Sequence, residues 1–305
     1  MTTATLIAAV AAVTTAPPPV PPAAVYGSAD NDCAVPSPTS HRRLSPPTAG
    51  VRLRPGGPAR LVLLDLAGRI TAEACDTTPG RYAVVRHHLW RYDSGGVEES
   101  DVVRWYAADE SGAELAVRHP RQQVAHDWWE PAFDRAGHVA HSYISGELLI
   151  SAAQFDGQWQ VEPPALVDEL AQLAMWHSPD RLQRQLAARV LADTAGLTAH
   201  PATTDRAGRV GVGIAAFSEH GRTRHLLILD AHTGQVLAYE AATLTASGWR
   251  AQVYLLLLNR THAPSRWWEP PTAGQPVAAP PPYLRPRRKT HWVTHPQTVC
   301  ITDRT

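Results

Sequence analysis

The chain predicts an α+β fold, a curved antiparallel sheet of half-barrel type with helices packed on one face. Three observations predict it. Residues 81–118 form short alternating runs joined by tight turns, and residues 205–258 repeat that texture further along. Between them, 164–197 carries apolar residues at helical spacing that cover only part of each helix, so these helices lie against something else.

Each element has its own signal. After Pro58, Leu63, Leu66, Ala67, Ile70 and Ala74 share one face, predicting a helix over 61–74 with Pro58 at its start. Pro79-Gly80 turns the chain into a strand over 81–92, where Tyr82, Val84, His88, Trp90 and Tyr92 share one parity. Ser94-Gly-Gly96 leads to a strand over 97–107, and Ser111-Gly112 to another over 113–118. Residues 119–162 give no clear assignment, and Asp127-Trp-Trp-Glu-Pro131 reads as an aromatic turn. In the helical block Val167, Leu170, Ala171 and Ala174 form one stripe. Leu182, Leu186 and Val190 form a second, flanked by Ala187 and Leu191. Ser178 is the expected N-cap with Pro179 at the first helical position, and Gly196 the expected C-cap. In the second meander Val210, Val212, Ile214 and Ala216 face one way, with Gly211 and Gly213 opposite where backbones can approach closely. The continuously apolar Leu226–Leu229 predicts a central strand. Asp230-Ala-His-Thr-Gly234 predicts a hairpin loop with glycine at positive φ, and 236–240 and 250–258 complete the sheet.

Composition narrows the class. Of 305 residues 44% are hydrophobic, and 28 basic residues balance 28 acidic ones, so no electrostatic argument favours nucleic acid as a partner. Lys289 is the sole lysine, and with abundant Ala, Arg and Pro this reads as a high-GC, actinobacterial composition. The chain divides into a remnant anchor or signal-like segment at 1–22, a Pro-rich linker at 23–57, an α+β domain at 58–262 and a Pro-rich, flexible tail at 263–305. Leu6–Val13 is apolar but too short to span a bilayer, and the first 41 residues lack the basic residues of a secretory signal. Two readings stand: a weak signal or membrane attachment whose true start lies upstream, or a disordered Ala/Thr-rich start. Cys33, Cys75 and Cys300 match no metal or redox spacing; Cys33 and Cys75 pair if the domain is exported, or all three are free.

No catalytic, cofactor-binding or metal-binding constellation emerges. His87 and His88 point to opposite faces of a strand, and His138 and His141 lack a carboxylate or HExxH partner, so the histidines read as surface or half-buried. No Gly-x-Ser-x-Gly elbow is present, and Gly208–Gly213 belongs to a turn and strand, not a phosphate-binding loop. Asp109-Glu110 and Glu98-Glu99 sit beside turns and are expected to face water. The repeated Trp-Trp-Glu-Pro at 128–131 and 267–270 either stacks on a ligand or forms lids over the sheet edge, the latter being favoured. The basic Arg285–Trp292 stretch reads as a solvated tail.

Residues 180–245 carry a resemblance. Ala195-Gly-Leu, Asp205-Arg-Ala-Gly-Arg-Val-Gly-Val, Leu-Ile-Leu-Asp and Thr-Gly-Gln-Val-Leu237 are similar to a family of uncharacterised actinobacterial proteins with an N-terminal membrane anchor, often encoded beside extracytoplasmic-function sigma factors. At greater distance, the helix-then-meander order resembles the half-barrels of lipoprotein carriers and sigma-regulator sensors. That resemblance implies a sheet closed by helices around an apolar cavity.

The expectation is therefore a non-enzymatic, extracytoplasmic sensing or ligand-binding domain, with no cofactor and with an apolar small molecule or an envelope protein as partner. Two alternatives stand beside it. One is a cell-envelope hydrolase whose site assembles only in three dimensions. The other is a cytosolic protein–protein adaptor.

Overall fold

The computed structural model describes residues 46–93, 95–109, 111–119, 123–129, 162–269 and 285–286. The segment 1–22, most of the linker, Cys33, His138, His141, Cys300 and the basic stretch after Pro286 lie outside the described residues.

The described residues build an open, curved α+β half-barrel with helices on one face. The strands are β1 (Gly57–Pro58), β2 (Tyr82–Asp93), β3 (Gly96–Ala107), β4 (Gly112–His119), β5 (Gln123–Trp129), β6 (Thr198–Thr204), β7 (Val210–Ser218), β8 (Thr223–Asp230), β9 (Val236–Thr245), β10 (Gly248–Ala263) and β11 (Arg285–Pro286). They pair in the order β1-β6-β7-β8-β9-β10-β2-β3-β4-β5-β11. Every pairing is antiparallel except that of β11 with β5. The two predicted meanders are thus joined edge to edge through β10 and β2. The aromatic Asp127-Trp-Trp129, expected as a turn, lies on a strand.

The helices are α1 (Ala59–Arg69), α2 (Pro163–Trp176) and α3 (Arg181–Asp193). Two corrections concern their limits. α1 ends at Arg69, short of Ala74, because the chain there turns to meet the β8–β9 hairpin. Thr71 donates its amide to the His232 carbonyl, and Ile70 fills the space beside Gly234, where a Cβ would fall 2.4 Å from Ile70 Cδ1. Gly234 has φ +70°, as the hairpin loop requires. The cap of α3 is Asp180, not Ser178: its carboxylate accepts from Gln183 N at 2.9 Å and the Gln183 side chain accepts in return, a reciprocal capping box.

A third correction concerns the start of α3. Leu182, placed by spacing in the apolar stripe, is 66% exposed, while Val190 and Leu191 are buried and Leu186 and Ala187 pack on the core as expected. Arg184 is also buried, because it has an ion-pair partner in the interior.

One face of the sheet packs on the helices through Ile214, Leu227, Tyr239 and Leu255, against Leu63, Leu66, Val167, Leu170 and Leu191. The opposite face holds two further apolar clusters. Trp90, Leu226, Ile228, Tyr254 and Leu256 are covered by Val51 and Leu53. That segment is tied down by Arg224 and Glu240: Glu240 Oε2 accepts from Val51 N at 2.7 Å, and Arg224 Nη2 donates to Val51 O at 2.9 Å. Tyr82, Val84, Val103 and Trp105 are covered by Trp128, Trp267 and Trp268. Trp128 of the first Trp-Trp copy therefore meets Trp267 and Trp268 of the second on one patch. Trp267 lies 4.9 Å from Trp105, and the Arg266 guanidinium sits 4.8 Å from Trp268 and 5.9 Å from Trp128. The packed region thus takes in residues on both sides of 58–262.

Cys75 is disulfide-bonded, to a cysteine outside the described residues. No helix among the described residues is long and apolar enough to cross a membrane.

Candidate functional site

α2 crosses the helix-bearing face of the sheet with Pro163 and Pro164 in its first turn, where their missing N–H groups cost nothing. Its inner stripe packs on the strands near Trp176, and the chain then reverses through His177-Ser-Pro-Asp180 into α3. Because small residues (Ala174, Ala187, Ala188) face inward along this reversal, the helices and the sheet do not close on each other. A cavity of about 650 Å³ remains. Leu170, Leu173, Leu191, Leu227, Leu229 and Val236 give it an apolar floor. Tyr106, His177, Ser178, Arg184 and His262 line its polar end, with Arg81 at the wall. The volume is that of a small-molecule pocket.

The charges at the polar end satisfy one another. Asp76, on the 3-10 turn Ala74–Thr77, receives Arg184 Nη1 at 2.7 Å and Nη2 at 2.9 Å, and Arg260 Nη2 at 2.9 Å. Glu73 pairs with Arg260 and is bonded by Gln235. The same guanidiniums hold the α2–α3 reversal: Arg184 Nη1 donates to Pro179 O at 2.7 Å, and Arg260 Nη1 to Ser178 Oγ at 3.0 Å. Arg184 also reaches Thr233 O at 2.6 Å and Thr71 O at 3.2 Å. Burial alone would raise the Asp76 pKa. The hydrogen bonds from Arg184, Glu73 N and Arg260 overcome it and hold the carboxyl well below the usual carboxylate range. Beyond it, Arg104 pins the end of α2, pairing with Glu114 at 2.7 Å, donating to Met175 O at 3.1 Å and stacking 3.7 Å from the Trp176 ring.

His262 contributes differently. Burial lowers its pKa against a raising hydrogen bond at the Cys75 backbone, so it stands neutral. Its Nδ1 is buried and has no hydrogen-bond partner among the described residues.

Other polar groups lie elsewhere. Glu99, expected to face water, is buried and hydrogen-bonded to His88 at 3.1 Å, beside the Arg86–Asp101 pair on the face away from the helices. Cross-strand pairing creates this cluster, which turn proximity alone does not reveal. Asp109 is partly exposed and bound to Arg81 at 2.6 Å. His87 and His88 do face opposite ways, but His87 is wholly buried, not a surface histidine. Under α2, His225 Nδ1 lies 3.0 Å from Tyr239 Oη, and burial first, then the neighbouring Asp168, pushes that phenol above its usual range. This group does not line the cavity. No set of three or more metal-ligating side chains converges among the described residues.

The polar end was not visible in sequence. Asp76, Arg184 and Arg260 are separated by more than a hundred and by 76 positions, and only the fold joins them. The one available signal was an arginine among the alanines and leucines on the inner side of an amphipathic helix.

No protein-family model matches the chain, and no curated relative matches it. Among solved structures it is distantly similar to a crystal structure of MucB, at 17% identity and a TM-score of 0.30, over 70% of this chain and 62% of that one. It is similar also to the complex of Pseudomonas aeruginosa MucA and MucB, at 16% identity and a TM-score of 0.30, over 67% and 59%. The chain thus spans about six tenths of the length of these structures.

Proposed function

We propose that this chain is a non-enzymatic, extracytoplasmic ligand-binding or sensing domain, whose ligand places an apolar portion in the cavity under α2 and α3. The observation that carries the reading is a cavity of about 650 Å³ with a leucine floor beside carboxylates that already have partners. Asp76 is held by two arginines and Asp180 is committed to capping α3, so neither is poised for proton transfer. The converging Asp168, Tyr239 and His225 lie away from the cavity, which disfavours the hydrolase alternative. The disulfide at Cys75 suits an oxidising compartment and disfavours the cytosolic adaptor. An envelope protein is the partner class for the sensing role. The α2–α3 reversal lines the cavity and is the element through which occupancy would be felt.

Titration with the apolar fluorophore N-phenyl-1-naphthylamine tests this. One saturable site is expected, weakened about tenfold by Ala187→Trp, which fills the cavity from α3. Val236→Trp serves as a second filling variant, and thermal melts confirm that each is folded. Unsaturable fluorescence, or equal affinity in both folded variants, would overturn the proposal. So would turnover of an ester substrate that depends on His177 or His262.

A further inference from the structure

Among the described residues, two carboxylates and two guanidiniums line the cavity: Asp76, Asp180, Arg81 and Arg184. The inner pair has no bonding capacity left over. A guanidinium carries five N–H donors. Arg184 gives Nε to Thr233 O, Nη1 to Asp76 Oδ1 and Pro179 O, and Nη2 to Asp76 Oδ2 and Thr71 O, which uses all five. An ionised carboxylate has about four acceptor sites. Those of Asp76 take Arg184 Nη1 and Arg260 Nη2 on one oxygen, and Arg184 Nη2 and Glu73 N on the other. This ion pair therefore offers no donor to an anionic head group and no acceptor to a cationic one.

The outer two charges lie toward solvent. Arg81 is bound to Asp109 at 2.6 Å, and the exposed Asp180 caps α3. His262 stands neutral because burial lowers its pKa, so it adds no cation. A carboxylate or phosphate brought to this end gives up hydration without gaining a guanidinium, and it faces the Asp180 charge. An uncharged head carries no such penalty.

Resting on the cavity reading above, we propose that the site takes an amphiphile with an uncharged head and discriminates against carboxylate and phosphate heads on the same alkyl chain. The saturated Arg184–Asp76 pair supplies the discrimination, since it puts charge on the wall while withholding every hydrogen bond from a charged ligand.

Displacement of N-phenyl-1-naphthylamine from the full chain compares lauroyl glycerol, laurate and dodecyl phosphate. Each is kept below its micelle threshold, at low salt and about pH 8, where both anions are ionised. Lauroyl glycerol should displace the dye at a concentration about tenfold below either anion. Asp180→Asn separates the head from the alkyl chain. Asparagine caps a helix as well as aspartate, so the fold is kept while one negative charge leaves the lining. Laurate should then bind about threefold more tightly, and lauroyl glycerol as before. Either anion displacing the dye as well as lauroyl glycerol overturns the inference and leaves the cavity reading standing. So does a saturably bound dye that none of the three displaces. An Asp180→Asn variant that shifts all three equally, or none, overturns it too, because the preference then lies in the alkyl chain's solubility. Dye binding that never saturates removes the cavity reading and this inference with it.

Discussion

Asp76→Ala is expected to destabilise the protein by about 3–5 kcal/mol, because it leaves Arg184 and the Asp76 side of Arg260 buried without their carboxylate. Arg184 is 1% exposed at its side chain and Asp76 7%. For a domain of this size that corresponds to a fall in melting temperature of about 10 °C or more. Combining Asp76→Leu with Arg184→Met should recover only part of the loss: it removes the buried orphan cation, but Arg260 still lacks Asp76 and the Thr71, Pro179 and Thr233 carbonyls lose their donor. Thermal denaturation of the single and double variants measures both. A single variant within about 1 kcal/mol of the parent would show that Asp76 does not hold the α2–α3 reversal.

The second large effect is on acid stability. Burial is the main cause that lowers His87, with Arg104, His88 and Arg91 adding to it, and burial also lowers His88 against the pull of Asp101 and Glu99. A histidine whose folded pKa lies below its unfolded value binds its proton first in the unfolded chain. Its stabilisation is therefore complete above about pH 6.5 and drains away as pH falls toward the folded value. His87 alone gives a slope of up to about 1.4 kcal/mol per pH unit in that window. Asp76 acts in the same direction but lower, its contribution lasting until pH falls below about 4, the unfolded carboxylate value. Urea unfolding from pH 7.5 to 4.5 should show stability falling from about pH 6.5 downward, and His87→Leu should flatten the upper part of that fall. A flat profile across pH 6.5–5 would contradict the burial of neutral His87.

The strands were legible wherever apolar and polar residues alternate between turn residues, as in Tyr82–Tyr92 and Val210–Ala216, because parity alone assigns faces. Leu226–Leu229 read correctly as central because both sides of β8 are covered. Asp127-Trp-Trp129 was not legible: Trp128 and Trp129 pack on opposite faces of a strand, so both parities are large and aromatic and no alternation shows. The start of α3 misled. Spacing put Leu182 inside, where it is exposed, while Arg184 is buried through Asp76, a partner 108 residues away. The cavity itself was expected only through a resemblance to half-barrels. It arises from what is missing, since alanines on α2 and α3 face a leucine floor without filling the gap. Voids of that kind leave no periodic mark in a sequence.

Strand β8 offers the sharpest test, because neighbouring residues there belong to different faces. Leu227 and Leu229 floor the cavity, while Leu226 and Ile228 sit in the cluster on the other side of the sheet. With Ile, Leu and Val methyl groups isotopically labelled, an uncharged amphiphile such as lauroyl glycerol is titrated and the methyl spectra followed. Saturable shifts at Leu170, Leu191, Leu227, Leu229 and Val236, with Leu226, Ile228 and Leu256 unmoved, are the predicted result. Shifts spread equally over both sides of β8, or none at the cavity methyls at saturating amphiphile, would contradict the account.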